Sequence, residues 1–222
     1  TMLNENRALG VTEGRFFSAL RQQLGISRYV MIPNFELFGI QHSDCFLKLL
    51  DEERILVARP PEDHPHYERS EAIVQELSSL TNAYGRPYEI IRIDTPPYWW
   101  DFMPAYTNSL ILNRKVLVPL YGIPADQDAL ETWRKAMPGY RVIGFEHGGW
   151  AWEDALHCRT MGVPDRGTLL IDHVPFRGND VTSGDYEIVA TIVASSGTAL
   201  AAEDLVVRYS VDGGAWEEGV LA

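Results

Sequence analysis

The sequence has few cysteines, fewer basic than acidic residues and no long apolar run, and each of these features excludes or disfavours a class of protein. Two cysteines in 222 residues give no disulfide framework, although a single bond between them stays open. Lysine and arginine total 19 against 31 aspartates and glutamates. The resulting net charge of −12 disfavours binding to nucleic acids and anionic membranes and mildly favours a cationic ligand. No apolar stretch approaches the roughly 20 residues that span a bilayer.

Apolar residues are nevertheless plentiful enough for a sizeable core. The chain is 45% hydrophobic and 11% aromatic, and its length suggests one or two domains. Three stretches repeat apolar residues at helical spacing. The first helix is predicted between Thr12, a suitable N-cap, and Gly25, and the other two follow Pro65 and Pro124.

Strand patterns lie between these helices. They cover residues 28–32, 42–49, 54–59, 88–93, 106–112, 115–120 and 140–145, with Asn113-Arg114 as a tight hairpin turn. The order strand, strand, helix, strand recurs, which indicates an α/β fold of repeated modules. A doubly wound parallel sheet also alternates helices with strands, but it does not need the two-strand hairpins.

Helical patterns stop after residues 176–180, Phe176-Arg177-Gly178-Asn179-Asp180. Apolar residues then alternate over 186–192 and 205–211, and Asp212-Gly213-Gly214 follows as a turn. This pattern predicts the first strands of an all-β sandwich.

Two polar segments carry the chemistry. The run Asp154-Ala155-Leu156-His157-Cys158-Arg159-Thr160 offers a thiol, and Gln41-His42-Ser43-Asp44 offers an imidazole and a carboxylate. A thiolate is a strong nucleophile, and a carboxylate holds a guanidinium through two parallel hydrogen bonds. His42 and Asp44 would share one face of a predicted strand, with Cys45 turned to the core. Taken singly, each has an ordinary reading, a solvated polar pair or a small buried hydrophobe.

Together with Ala105-Tyr106-Thr107-Asn108-Ser109-Leu110-Ile111-Leu112-Asn113, these segments resemble the bacterial (Porphyromonas-type) peptidylarginine deiminases and the related agmatine deiminases. The resemblance runs from about His42 to Asp165. It implies a five-bladed α/β propeller, the pentein fold, with the active site on its central axis. Residues 1–176 would be its later modules only, with both chain ends cut. Residues 177–222 would begin an immunoglobulin-like β domain.

The resemblance also implies roles for single residues. Cys158 would attack the guanidinium carbon, His42 would act as general acid and base, and Asp44 would bind the guanidinium. Asn108 would position substrate or catalytic groups; its alternative is a satisfied polar residue at a strand end. The reaction needs no metal or organic cofactor. We interpret His157 as structural, because neighbours on an extended chain face opposite sides.

Three other segments receive plainer interpretations. Asp63-His64-Pro65-His66 suits a helix N-terminus better than a metal site, because no third or fourth ligand is indicated. Pro96-Pro97-Tyr98-Trp99-Trp100 could belong to the core or form a lid. Gly148-Gly149-Trp150 is typical of a turn rather than a phosphate-binding loop.

The expected reaction is hydrolysis of peptidyl-arginine to peptidyl-citrulline and ammonia through a covalent thiouronium intermediate. Agmatine, giving N-carbamoylputrescine, is the alternative substrate. An amidinotransferase would use similar residues, and a non-catalytic surface binding module is the competing class. A second guanidinium-binding carboxylate is expected in an earlier module, and Gly39 stands where those enzymes offer a tyrosine. This chain alone is therefore expected to be inactive. We expect a secreted or cell-surface protein.

Overall fold

The computed structural model describes residues 2–35, 42–150, 154–162, 166–176, 184–211 and 214–220. The chain divides into two compact units, Thr1–Thr160 and Met161–Ala222. Gly39, the linker residues 177–180 and the turn residues 212–213 lie outside the described residues. Across the described ranges, no helix is both long and apolar enough to cross a membrane.

Two helices open the first unit, α1 (Met2–Ala8) and α2 (Glu13–Leu24). The prediction for α2 is confirmed, including both ends. The Thr12 side chain accepts a hydrogen bond from the backbone N–H of Arg15, at 3.3 Å. Gly25 ends the helix at φ 70°, a conformation that favours glycine, and its N–H donates to the carbonyl of Arg21. Helix α1 was not predicted.

The first module is a three-stranded sheet with one helix. It contains β1 (Leu47–Leu49), β2 (Arg54–Arg59), α3 (Tyr67–Ser78) and β3 (Glu89–Asp94), in the sheet order β1-β2-β3. Strand β1 runs antiparallel to β2, and β2 runs parallel to β3. The central strand β2 is buried along residues 55–58, as expected for a strand covered on both faces. Helix α3 packs Ile73 and Leu77 against it.

The second module repeats this topology. It contains β4 (Leu110–Leu112), β5 (Lys115–Leu120), α4 (Ala125–Ala136) and β6 (Arg141–Glu146), in the order β4-β5-β6. The pairing is again antiparallel and then parallel. Both turn residues of the β4–β5 hairpin have positive φ, 48° for Asn113 and 60° for Arg114, which confirms the predicted tight turn.

Apolar and polar contacts join the two modules. Leu50 and Leu56 of the first module pack into one buried cluster with Val116 and Trp133 of the second. Arg54 donates to the carbonyl of Ala136 at 2.6 Å. The repeat predicted from sequence is therefore confirmed as two small mixed sheets, and a single doubly wound sheet is not what these residues form.

Three strand predictions in this unit differ from the structure. Residues 28–32 form no strand. The strand predicted over 42–49 is only β1, because Ser43–Cys45 forms a 3₁₀ turn. The strand predicted over 106–112 is only β4, because residues 106–109 form buried turns and bonds between segments. In both shortened strands, the residues lost are those that build the candidate site.

In the described residues of the second unit, the strands form two antiparallel pairs. Strand β7 (Leu169–His173) pairs with β8 (Ala190–Ala194), and β9 (Val206–Tyr209) pairs with β10 (Glu217–Val220). The strand predicted over 186–192 begins only at Ala190, and β7 was not predicted. Strand β7 pairs with β8 inside this unit, which begins at Met161. The domain boundary at 176/177 stays a prediction. The immunoglobulin-like assignment stays a prediction.

Candidate active site

The imidazole and carboxylate predicted to act together lie at a 3₁₀ turn in front of β1. The carbonyl of His42 accepts from the N–H of Cys45 at 3.1 Å, which closes the turn over Ser43–Cys45. Placing His42 and Asp44 on a strand was therefore wrong. Cys45 is buried, as predicted, and Asp44 is only partly covered. The Cys45 sulfur nevertheless lies 3.8 Å from Nδ2 of Asn108. Thr107 donates to the Asp44 carbonyl at 3.1 Å.

A second 3₁₀ turn, His157–Arg159, carries the thiol. Asn108 holds this turn, since its Oδ1 accepts from the backbone N–H of His157 at 2.8 Å and of Cys158 at 3.2 Å. Asn108 is fully buried, with 0% of its surface exposed. Its side chain therefore fixes the backbone on which the thiol sits.

The same amide brings the predicted site residues together. Nδ2 of Asn108 lies 2.8 Å from Oδ2 of Asp44 and 3.0 Å from Sγ of Cys158. The Cys158 sulfur lies 3.8 Å from that carboxylate oxygen. A ring nitrogen of His42, a carboxylate oxygen of Asp44 and the sulfur of Cys158 all lie within 4.8 Å of one another. The predicted convergence of these four residues is confirmed, although more than 110 positions separate Asp44 from Cys158.

His157 does not turn away from this cluster, so the orientation predicted from sequence was wrong. Its Nδ1 lies 2.6 Å from Oδ2 of Asp44. The prediction assumed an extended chain, in which adjacent side chains point about 180° apart. In a 3₁₀ turn they differ by about 120°, so His157 and Cys158 can both face Asp44.

Electrostatics at the thiol favour its protonated form while the site is empty. Partial burial raises the pKa of Cys158, and the charges of Asp44 and Asp154 raise it further. Hydrogen bonds from Asn108 and from the backbone at Ala155 oppose this shift in pKa. Cys158 is exposed and Cys45 is buried, and neither forms a disulfide.

Lys48 is a member of this neighbourhood that sequence reasoning missed. Its Nζ donates to the carbonyl of Ser109 at 2.7 Å. Burial lowers the pKa of Lys48, and the nearby charges of Asp44 and Cys158 oppose that effect. The signal in the sequence was a lysine in the middle of an otherwise apolar strand, which is uncommon unless the amine has a partner.

Arg159 fastens the thiol turn to the preceding loop. It donates to Oδ2 of Asp154 at 3.2 Å and to the carbonyl of Gly149 at 3.1 Å. Its guanidinium also lies 5.7 Å from the ring centre of Trp150. The Trp150 indole N–H donates to the carbonyl of Leu120 at 2.8 Å. These contacts give the predicted Gly148-Gly149-Trp150 turn a structural purpose.

The ring of His64, the first histidine of the pair at residues 64 and 66, is occupied by structural bonds at both nitrogens. His64 Nε2 contacts the carbonyl of Asp101 at 3.0 Å, and its Nδ1 accepts from the N–H of His66 at 3.1 Å. Trp100, in the aromatic loop, is 81% exposed and therefore does not belong to the core. A metal ion could instead be held by His42, Asp44 and Cys158, whose donor types suit zinc.

Comparison with known proteins identifies the class first. The fold is the α/β fold of guanidino-group deiminases, built from small mixed sheets. A crystal structure from Porphyromonas gingivalis, provisionally described as an arginine deiminase, is 28% identical with a TM-score of 0.59, over 70% of this chain and 49% of that one. An agmatine deiminase of Enterococcus faecalis shares the fold, with 20% identity and a TM-score of 0.55 over 67% and 47% of the chains.

A match to a family model identifies the family of this chain. Residues 1–164 match the model of the Porphyromonas-type peptidyl-arginine deiminases, and the chain belongs to that family. An agmatine deiminase of Medicago truncatula is 25% identical over 200 residues, which cover 73% of this chain and 51% of that protein. The chain spans about half the length of the curated relatives it matches.

Proposed function

We propose that the complete protein hydrolyses a guanidino group, releasing ammonia and leaving a ureido group. The observation that carries the proposal is the contact of one amide, Asn108 Nδ2, with both the Cys158 sulfur and the Asp44 carboxylate. A nucleophile and an anion held 3.8 Å apart suit a flat cation whose carbon must meet the sulfur.

Asp44 is well placed to receive such a cation. Within the described part of the chain, its hydrogen bonds from Asn108 and His157 fall on Oδ2. Its Oδ1 takes no such bond there, so it can accept from a guanidinium N–H, and a second N–H can approach Oδ2. The paired geometry distinguishes a guanidinium from a simple amine.

The reaction then proceeds in two balanced steps. His42 takes the proton of the Cys158 thiol, and the sulfur forms a bond to the guanidinium carbon while the electron pair of one C=N bond moves to nitrogen. His42 donates a proton to that nitrogen, the C–N bond breaks and ammonia leaves, so that a thiouronium joins substrate to protein. Water then adds to the same carbon while His42 takes one of its protons, and the S–C bond breaks. His42 passes that proton to the departing sulfur to restore the thiol, and the second water proton leaves to solvent as the neutral ureido product forms.

Substrate binding itself activates the thiol in this proposal. The negative charge of Asp44 contributes to the raised pKa of Cys158. A guanidinium bound at Asp44 neutralises that charge and places a cation beside the sulfur, which lowers the pKa of Cys158. The thiolate therefore forms when there is a substrate to attack.

Two substrate classes are supported by different observations. The family model that matches residues 1–164 is named for peptidyl-arginine, which makes arginine in a peptide the first candidate. Relatives such as the Medicago truncatula protein are named agmatine deiminases, which makes agmatine the second. Each substrate bears the same guanidinium, so the geometry around Asp44 serves both.

The test is a product assay on the complete protein with an arginine peptide and with agmatine. Ammonia and a ureido product should form from one of them, and Cys158→Ser should reduce turnover by about a thousandfold or more. The matched control is Cys45→Ser, the same change at the buried cysteine, which removes no reacting atom and should cost far less turnover than Cys158→Ser. Absence of both products in the folded parent protein would contradict the proposal and favour a binding module.

A further inference from the structure

The side chain next to the nucleophile, His157, makes a contact that the proposed reaction does not yet use. Its ring bonds to Oδ2 of Asp44 at 2.6 Å, across 113 positions of sequence. Its backbone N–H is shared between Oδ1 and the carbonyl of Asn108, at 2.8 and 3.1 Å. The residue therefore links the turn of the thiol directly to the turn of the carboxylate.

The contact defines which ring nitrogen carries a proton. An ionised carboxylate can only accept hydrogen bonds, so the short distance requires an N–H at Nδ1. Asn108 donates to the same oxygen at 2.8 Å. Two donors on Oδ2 prevent the carboxylate from rotating and direct Oδ1 away from both of them.

Stability alone does not account for this arrangement. The His157 side chain is 44% exposed, so its removal opens no cavity in the core. A solvent-exposed side-chain contact of this kind adds little to folding free energy. The geometry matters for a different reason, because the carboxylate must keep one orientation relative to the sulfur.

We propose that His157 is a positioning residue, which holds the Asp44 carboxylate through Nδ1 so that a bound guanidinium presents its carbon to Cys158. This inference rests on the proposed function, since it assigns a task within the same site. The imidazole acts through Asp44 and does not take part in bond making.

Three substitutions in the complete protein test whether a hydrogen-bond donor at the position of Nδ1 matters more than the size of the side chain. His157→Asn places an amide N–H near the position of Nδ1, His157→Gln places one farther out, near Nε2, and His157→Phe keeps a ring without a donor. We expect kcat/KM to fall by no more than about threefold in His157→Asn and by about tenfold or more in the other two. Equal rates in all three variants, or rates equal to the parent in His157→Phe, would overturn the inference.

A double substitution tests that the effect passes through Asp44. In an Asp44→Asn background, His157→Phe should cause little further loss, because the carboxylate that it positions is already gone. Fully additive losses would place the action of His157 elsewhere. Thermal unfolding of each variant checks that the fold is retained.

A measurement without turnover keeps this inference separate from the proposed function. NMR of the histidine ring nitrogens should show the proton of His157 on Nδ1 in the parent protein, and Asp44→Asn should shift those signals. An Nε2–H tautomer that is unaffected by Asp44→Asn would refute the positioning contact even in an active enzyme. Conversely, the expected tautomer in a protein that forms no ureido product would refute the proposed reaction and leave the contact in place.

Discussion

The two modules have the same topology but contribute unequal chemistry. Each places a polar residue just ahead of its short first strand, Asp44 three residues before β1 and Asn108 two residues before β4. The equivalence continues inside the strands, where Lys48 pairs with Leu56 and Ile111 pairs with Val116 at the central position. The first module thus presents charge where the second presents an amide and an apolar side chain.

The two modules therefore have different roles at the site, although their topology is the same. Asn108 is fully buried and uses both ends of its amide, so it fixes other groups and has no exposed surface for a ligand. Asp44 is partly exposed and is held on one oxygen, so it can still bind. The second module thus supplies the residue that fixes the other site groups, and the first supplies the carboxylate that can bind a ligand. Placing a carboxylate at Asn108, or an amide at Asp44, should therefore have different effects on stability and turnover.

Giving the second module the carboxylate should have the largest effect. In Asn108→Asp, Oδ1 still accepts from the two N–H groups, but an oxygen replaces the Nδ2 that lies 2.8 Å from Asp44. A buried carboxylate at residue 108 that faces the partly exposed carboxylate of Asp44 should abolish turnover and reduce the free energy of unfolding by about 3 kcal/mol. Urea unfolding and the product assay measure both effects.

A matched control exists for that exchange in the first module. Asn82 is 3% exposed, and its Oδ1 accepts from the N–H groups of Tyr84 and Arg86 at 2.9 and 3.0 Å. Its Nδ2 has no hydrogen-bond partner within the described ranges, so no carboxylate there lies within hydrogen-bond distance of it. Asn82→Asp should destabilise less and keep turnover. If both variants lost stability and activity equally, burial of charge alone would explain the result and the contact with Asp44 would not matter.

Giving the first module the amide should have the next largest effect, on turnover alone. Asp44→Asn keeps the shape and the partial exposure of the side chain but removes the charge that strengthens paired hydrogen bonds. A loss on the order of 3 kcal/mol in transition-state stabilisation corresponds to about a hundredfold lower kcat/KM. Steady-state kinetics with an arginine peptide and with agmatine measure it. The unfolding midpoint should barely change; turnover at the parental rate would show that Asp44 does not bind the guanidinium.

A third prediction concerns the thiol, whose raised pKa links it to the first module. The rate of Cys158 alkylation by iodoacetamide should rise with pH, with a midpoint above the usual thiol range of about 8–9. In Asp44→Asn the midpoint should fall, because the carboxylate contributes to the raised pKa. Peptide mass spectrometry distinguishes Cys158 from the buried Cys45. Faster labelling of Cys45, or a midpoint unmoved by Asp44→Asn, would contradict the electrostatic assignment.

Much of the fold could be predicted from the sequence because its signals are local. Alternation, helical spacing, Thr12, Gly25 and the Asn113-Arg114 turn each act over a few residues, and strands β2 and β5 have the predicted bounds. The identities of the four site residues came from a resemblance of motifs. Their convergence could be stated only because that resemblance implies a shared site.

The local shape of the site could not be predicted for a physical reason. The 3₁₀ turns around Asp44 and Cys158 are held by Asn108 and Thr107, which lie more than 45 residues away from either turn. The sequence before β1 is compatible with the alternation of a strand as well as with a 3₁₀ turn, and only the distant partners decide between them. The errors at His42 and His157 both followed from assuming an extended chain there. Lys48 was missed because its partner, the Ser109 carbonyl, belongs to the other module.

The smallest predicted effect comes from removing the charge inside β1, with Lys48→Ile giving the first module the residue type of Ile111. Burial lowers the pKa of Lys48 in the native state, while the unfolded chain keeps an ordinary value of about 10.4. Between those two values the unfolded state binds more protons, so the stability of the parent rises with pH, whereas isoleucine does not titrate. The free energy of unfolding of the parent should therefore increase relative to that of Lys48→Ile as pH rises through the lowered pKa of Lys48. The increase is about 1.4 kcal/mol for each pH unit between the native and the unfolded pKa. Urea unfolding of both proteins from neutral to alkaline pH measures this difference, with Lys135→Ile on the exposed face of α4 as the control. A difference that stays constant with pH would mean that the amine is not desolvated, and the two modules would then differ at this position only in the bond to Ser109.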